Sequence, residues 1–226
     1  MRPLRQIVLT GLLVTLSVAT MGMGSCREES SAMKKANLGR ALTERGDTER
    51  AIRTLEEALR LDPGLVMTYE FLADAHSQAG HAEQAAGFYR ETVRRDPVRD
   101  TAFTSLGCLL LSTGGDLEEA RQVLEKATEI NQTDSRSLAC LGALDLESRD
   151  FAAAITLSEK AVSLNPQNVQ AHLNLGLAYM ETGRNEEARR EVQTVLAQSQ
   201  GNEELRGQAQ MLLDVLSHPD VPGAGT

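Results

Sequence analysis

A repeat of about 34 residues is the feature of this sequence that most constrains its fold. Proline follows an acid or an amide three times, at spacings of 34 and 69 residues: Asp62-Pro63, Asp96-Pro97 and Asn165-Pro166. A Leu followed by Gly or Ala recurs at one phase of this frame: Leu38-Gly39, Leu72-Ala73, Leu106-Gly107, Leu141-Gly142 and Leu175-Gly176. A column of alanines recurs about a dozen residues later: Ala51, Ala85, Ala120, Ala154 and Ala188. Self-similarity at such a period is typical of solenoids that stack one small helical or mixed unit.

Each repeat is predicted to be two antiparallel helices joined by a tight turn. The residues are rich in Ala, Leu, Glu and Arg, and only 3% are aromatic, which favours helix over strand. Asp116 and Glu119 are interpreted as the N-cap and capping-box partner of a second helix. Glycines are expected to end the first helix of four repeats in a left-handed conformation: Gly46, Gly80, Gly114 and Gly183.

These columns resemble those of the tetratricopeptide repeat (TPR) family, with Arg149 and Ser158 as the main departures, in the fourth repeat. The resemblance implies an all-α fold, a right-handed superhelical solenoid of helix-turn-helix repeats. The five repeats are predicted at residues 32–65, 66–99, 100–134, 135–168 and 169–202. Residues 203–217 are amphipathic and are predicted to form a capping helix over the last apolar face. Residues 218–226, rich in Pro and Gly, are predicted to be a disordered tail.

The N-terminus is expected to direct export. A short basic start precedes an uncharged stretch that ends in Gly24-Ser25-Cys26, and this resembles a bacterial lipoprotein signal. Residues 1–25 are therefore predicted to be a signal peptide, Cys26 the lipid-attachment site and 26–31 a short linker. Three alternatives stay open: cleavage after Ala19, retention of residues 6–26 as a membrane span, and a chance position of Cys26.

Charge and motif content favour a binding protein over an enzyme. Removal of residues 1–25 takes away Arg2 and Arg5 but no acid, so the net charge changes from −9 to −11. An acidic chain with few aromatic residues is not expected to bind nucleic acid. The sequence has no phosphate-binding loop and no zinc-helix spacing, and His76 and His81 stand five residues apart across a turn. We therefore expect no catalytic residues, no metal and no cofactor.

The resemblance places partner binding on the concave surface, which is lined by the first helix of each repeat. The positions that correspond to the groove are polar and acidic in the second repeat, where they include Glu70 and Asp74. They become apolar from the third repeat on, and the predicted partner-binding residues are Cys108, Leu111, Ala139, Ala143, Leu146, Leu173, Leu177 and Met180. A protein or peptide ligand is the expected partner; alternatively, these side chains pack on neighbours or are covered by the tail. The oligomeric state stays open.

The TPR resemblance also implies that Cys108 and Cys140, on successive first helices, can point toward each other. An exported protein with Cys26 acylated would have no other thiols, so a disulfide between repeats three and four is predicted. The alternative is two partly buried free thiols.

The function expected from these features is a non-catalytic protein–protein interaction scaffold, tethered to a membrane and acting in assembly of an envelope complex. The layout resembles that of repeat-containing lipoproteins of the bacterial envelope. Arg27, rather than Asp, follows Cys26, which favours the outer membrane facing the periplasm in a Gram-negative cell. The alternative function is a recruiting or regulatory subunit of an envelope enzyme system, such as cell-wall or polysaccharide synthesis.

Overall fold

The structure, a computed structural model, describes residues 30–217, and within them the fold is all-helical. The predicted signal peptide, Cys26 and the predicted tail lie outside the described residues. Eleven α-helices and no strand occur between residues 30 and 217. They are α1 Ser31–Glu44, α2 Thr48–Leu61, α3 Val66–Gln78, α4 Ala82–Arg95, α5 Asp100–Ser112, α6 Leu117–Ile130, α7 Ser135–Glu147, α8 Phe151–Leu164, α9 Val169–Glu181, α10 Asn185–Gln198 and α11 Glu203–Ser217.

The helices pack as five consecutive pairs, from α1 with α2 to α9 with α10, and α11 packs on α10. Each second helix also contacts the first helix of the next pair, so one continuous layer of hairpins forms. The predicted all-α architecture of paired helices is thus confirmed. The first helix starts at Ser31, inside the predicted linker, because the Ser30 hydroxyl caps it by accepting from the Met33 amide at 3.1 Å.

Small residues set the distance between the two helices of a pair. A Cβ atom added at Gly39 would lie 2.4 Å from Leu55 Cγ, and one added at Gly107 would lie 2.4 Å from Leu124 Cγ. Such distances are well inside van der Waals contact, so these positions exclude a side chain. The alanines of the second-helix column are fully buried, which is the burial that a close approach of helices requires.

The turns between paired helices use left-handed residues, as predicted. Gly46, Gly80, Gly114 and Gly183 have φ angles between 65° and 80°. In the fourth repeat, Arg149 takes the same conformation, with φ 61°, and it is the one non-glycine residue with positive φ in the described part of the chain.

Replacement of Arg149 by Gly is expected to raise the free energy of unfolding by about 1 kcal/mol, since the left-handed conformation costs a non-glycine residue roughly 1–2 kcal/mol. The side chain contributes less than this in return, because its ion pair with Glu181 spans 3.6 Å and is exposed, and its guanidinium lies 5.7 Å from the centroid of the Phe151 ring, near the limit of a cation–π contact. Urea unfolding measures the effect. Arg149→Ala is the control, since it loses the same side-chain contacts but keeps Cβ; equal stability of the Gly and Ala variants would contradict the strain.

One predicted local interaction is wrong in part. Asp116 caps α6 as predicted, accepting from the amides of Glu118 and Glu119 at 3.0 Å each. The Glu119 carboxylate, however, does not complete a capping box. It accepts two bonds of 2.7 Å from the guanidinium of Arg90 on α4. A bidentate pair with a charged donor from the neighbouring hairpin is stronger than a bond to one neutral amide, which explains the exchange.

None of the helices between residues 30 and 217 has the length and apolar character needed to cross a membrane.

Candidate functional site

A groove of about 540 Å³ runs across the first helices of repeats two to five. It is lined by Ser77 of α3, Tyr89 of α4, Ser105, Cys108, Leu109, Leu111 and Ser112 of α5, Arg136, Ala139, Cys140, Ala143 and Glu147 of α7, and Asn168 and Gln170 at the start of α9. We call this set the central groove. It lies where the resemblance places a ligand, since α3, α5, α7 and α9 are all first helices of their pairs.

The apolar part of the central groove contains a disulfide. The structure joins Cys108 of α5 to Cys140 of α7, with their Cα atoms 5.7 Å apart. Leu111, Ala139 and Ala143 are neighbouring lining residues, and Ala139 is buried. The result is a shallow apolar surface in which small side chains leave room for a ligand.

Two acids predicted to make repeat two negative are engaged inside the protein. Glu70 accepts bonds of 2.7 Å from both Arg99 and Thr101, which ties α3 to the start of α5. Asp74 accepts a 2.5 Å bond from the Tyr89 hydroxyl. Burial raises the pKa of Asp74 although the Tyr89 bond opposes this, and burial together with the Asp74 charge raises the pKa of Tyr89. Neither acid is therefore free to attract a cationic ligand.

Arg136 supplies a positive charge to the central groove. Its guanidinium donates to the Ser105 hydroxyl at 3.3 Å, and no ion pair with a carboxylate within residues 30–217 is formed. Gln170 donates to Asn174 at 2.9 Å, and Asn174 donates to the buried carbonyl of Ala139 at 2.8 Å. These amides fix the spacing of α7 and α9. The central groove thus offers an apolar base with one cation, Arg136, one carboxylate, Glu147, and several hydrogen-bonding groups at its rim.

A second, smaller pocket of about 270 Å³ lies beside the central groove. Leu146 of α7 and Leu177 of α9 form its apolar part, with Arg149, Phe151 and Glu181 around them. Both leucines are half-buried, so they can still accept contacts from a ligand.

The eight predicted groove residues divide into three groups. Four of them line the central groove: Cys108, Leu111, Ala139 and Ala143. Leu146 and Leu177 line the second pocket. Leu173 is buried in an apolar cluster that includes Ala209 and Leu216 of α11, and Met180 packs against this cluster.

The resemblance also assigns Ser77, Arg136 and Gln170 to groove positions, and all three line the central groove, but the sequence did not indicate Tyr89. Tyr89 is on a second helix, in the column that carries the buried Leu55 and Leu124 in neighbouring repeats. A longer polar side chain at a core position was the available signal. The structure also brings His76 and His81 together, with their Nδ1 atoms 3.3 Å apart across the Gly80 turn. Burial and the neighbouring His81 lower the pKa of His76. No group of three or more metal-ligating side chains occurs among residues 30–217.

Comparison with known proteins identifies the repeats. Family models described as Tetratricopeptide repeat match residues 36–66, 72–135 and 145–211. Anaphase-promoting complex subunit 3 of Schizosaccharomyces pombe is 25% identical over 118 residues, which are 52% of this chain and 18% of that protein. This chain spans less than a fifth of the curated relatives that it matches.

Two solved structures show the likeness in fold. A thermophilic TPR protein of Thermus thermophilus superposes with a TM-score of 0.66 at 21% identity, covering 81% of this chain and 99% of that one. MamA of Desulfovibrio magneticus gives a TM-score of 0.65 at 21% identity, covering 78% of this chain and 99% of that one. At this level of identity the comparison supports the fold and not a shared ligand.

Proposed function

Because this chain is a tetratricopeptide repeat protein, we propose that it is a membrane-tethered scaffold that holds a peptide segment of a partner protein in the central groove. TPR proteins are protein–protein interaction scaffolds and are typically non-catalytic. The proposal extends this general role to assembly of a complex in the bacterial cell envelope. The tether is Cys26, or the apolar segment before it, as the sequence indicates.

The shape and lining of the central groove carry the proposal. Peptide ligands bind helical grooves through a few apolar anchors, while hydrogen bonds at the rim set their direction. The small side chains Ala139 and Ala143, beside the disulfide, leave space for anchors of a bound segment. Arg136 and Gln170 supply donors at the rim, and the second pocket at Leu146 and Leu177 extends the apolar surface.

Peptide selection tests the groove. A displayed library of random peptides is selected on the full-length protein, and the affinity of the enriched peptides is then measured by fluorescence anisotropy. Ala143→Glu is expected to lower their affinity at least about tenfold, because it places a charge on the apolar base of the groove. Leu146→Glu combined with Leu177→Glu is expected to do the same for peptides that reach the second pocket.

The matched control is Leu117→Glu combined with Leu164→Glu, which places two charges at exposed leucines on second helices. This control is expected to bind as the unmodified protein does, and circular dichroism should show equal helix content in all variants. Peptides that bind every variant with one affinity would place the interaction elsewhere on the molecule and overturn the proposal.

A further inference from the structure

We propose that the first hairpin, α1 and α2, docks on an anionic lipid surface through one stripe, formed by Lys34 and Leu38 of α1 and by Arg45, its C-cap residue. The inference deepens the proposed function and rests on its membrane tether. It assigns the end of the solenoid that faces the membrane and the lipid chemistry that this end recognises.

Leu38 is the apolar centre of the stripe. Its side chain is 54% exposed, whereas the equivalent leucines of the other four repeats are at most 5% exposed: Leu72, Leu106, Leu141 and Leu175. Those four are covered because a preceding hairpin packs on their helix. Within the described residues no hairpin precedes α1. The face of α1 that carries Leu38 is therefore exposed, whereas the same face of α3, α5, α7 and α9 is buried.

Cations flank Leu38 on the same face of the helix. Residues four and eleven positions after Lys34 return to nearly the same angle around an α-helix, so Lys34, Leu38 and Arg45 form one stripe. Lys34 and Arg45 are exposed, and neither forms an ion pair with an acid in the described residues. The first turn of α1 also holds no acidic residue. The apolar side chain therefore lies between two positive charges that no acid of residues 30–217 pairs with, a combination that fits a negatively charged lipid surface.

The distribution of charge over residues 31–217 orients this contact. Residues 31–61 carry seven Lys and Arg against five Asp and Glu, whereas residues 62–217 carry 13 against 24. The first hairpin is thus net +2 and the rest of the described solenoid is net −11. An anionic surface attracts the first and repels the second, so the solenoid should stand away from the membrane on its first hairpin. The central groove, which is lined by residues of α3 to α9, then stays open to a partner.

The position of the tether agrees with this orientation. Cys26 precedes Ser30, the cap of α1, by four residues. Four residues of extended chain span at most about 14 Å. A lipid on Cys26 therefore keeps the stripe close to the headgroups, where each cation contributes about a fivefold preference for anionic lipid.

Lysine footprinting on vesicles tests the docking with the unmodified full chain. The protein is incorporated into vesicles of phosphatidylcholine, alone or mixed with phosphatidylglycerol, and treated briefly with an acetylating reagent. Its lysines, Lys34, Lys35, Lys126 and Lys160, are then quantified by mass spectrometry. Acetylation of Lys34 relative to Lys126 and Lys160 is expected to fall about fivefold in the vesicles that contain phosphatidylglycerol.

Two double variants test whether the protection of Lys34 depends on the stripe itself and not on the overall charge of the chain. Leu38→Glu combined with Arg45→Glu is expected to restore the reactivity of Lys34. The matched control, Leu117→Glu combined with Arg190→Glu, makes the same two changes at exposed positions far along the chain and should leave Lys34 protected. Flotation shows whether the protein is attached to the vesicles, and acetylation of Lys34 shows whether the stripe contacts the lipid. The tether and the docking can therefore fail separately. Equal reactivity of Lys34 in both kinds of vesicle overturns the docking, whether or not the chain floats.

Discussion

Replacement of both Cys108 and Cys140 by alanine is expected to lower the free energy of unfolding by about 3–4 kcal/mol under oxidising conditions. The cross-link closes a loop over a sequence separation of 32 residues, and the entropy that it removes from the unfolded chain grows with the logarithm of loop length. The disulfide also joins α5 to α7, which belong to successive repeats. In a solenoid, stability depends on contacts between neighbouring units, so its loss should weaken the coupling of the third and fourth repeats.

Urea unfolding of three samples checks this result: the oxidised protein, the same protein with dithiothreitol, and the double alanine variant. The reduced protein and the variant are expected to unfold together, at lower urea than the oxidised protein, which separates the cross-link from the small change in packing. Thiol labelling under denaturing conditions without reductant gives an independent answer. If mass spectrometry finds both Cys108 and Cys140 labelled, the bridge does not form and the predicted loss disappears.

The repeat frame made most of the fold predictable, because its columns report packing inside one hairpin. Gly39 and Gly107 face a leucine of the paired helix, and Gly46 must adopt positive φ, so each requires glycine for a local reason. Such constraints recur in each repeat, and they can be recognised from the sequence of a single hairpin. Arg149 also stood out in the sequence, as the residue in the place of a turn glycine, and it has the conformation that this place requires.

The candidate site was less predictable, because its details depend on which side chains of different helices meet. Periodicity identified the faces of α5 and α7, but it could not show that Arg99, just before α5, neutralises Glu70 of α3 or that Tyr89 of α4 holds Asp74 of α3. Nor could it show that Leu173 is buried in an apolar cluster, since this depends on the helices that pack around α9. Periodicity therefore located the surface, while the charge distribution on it depends on side-chain contacts between helices.

The pair Gly107 and Leu124 should show large packing effects. Leu124 is fully buried, and its replacement by alanine is expected to cost about 2–5 kcal/mol through lost contacts and the cavity that remains. Gly107→Ala places a Cβ 2.4 Å from Leu124 Cγ and is expected to cost about 1–3 kcal/mol by overpacking, less about 1 kcal/mol from better helix propensity. Gly87→Ala on α4 is the control, because nothing lies within 4 Å of its added Cβ, and it should gain about 1 kcal/mol.

The double variant tests whether position 107 requires glycine because of the Leu124 side chain on the paired helix. With Leu124 already alanine, the Cβ at position 107 enters the vacated space, so Gly107→Ala should no longer destabilise and should behave like Gly87→Ala. The two changes would then differ from additivity by about 1–3 kcal/mol, as expected for residues in direct contact. Urea unfolding of the four proteins in the cycle measures this coupling. Strict additivity would mean that the backbone near Gly107, and not the Leu124 side chain, excludes a larger residue, and the packing explanation of the repeat would then be wrong.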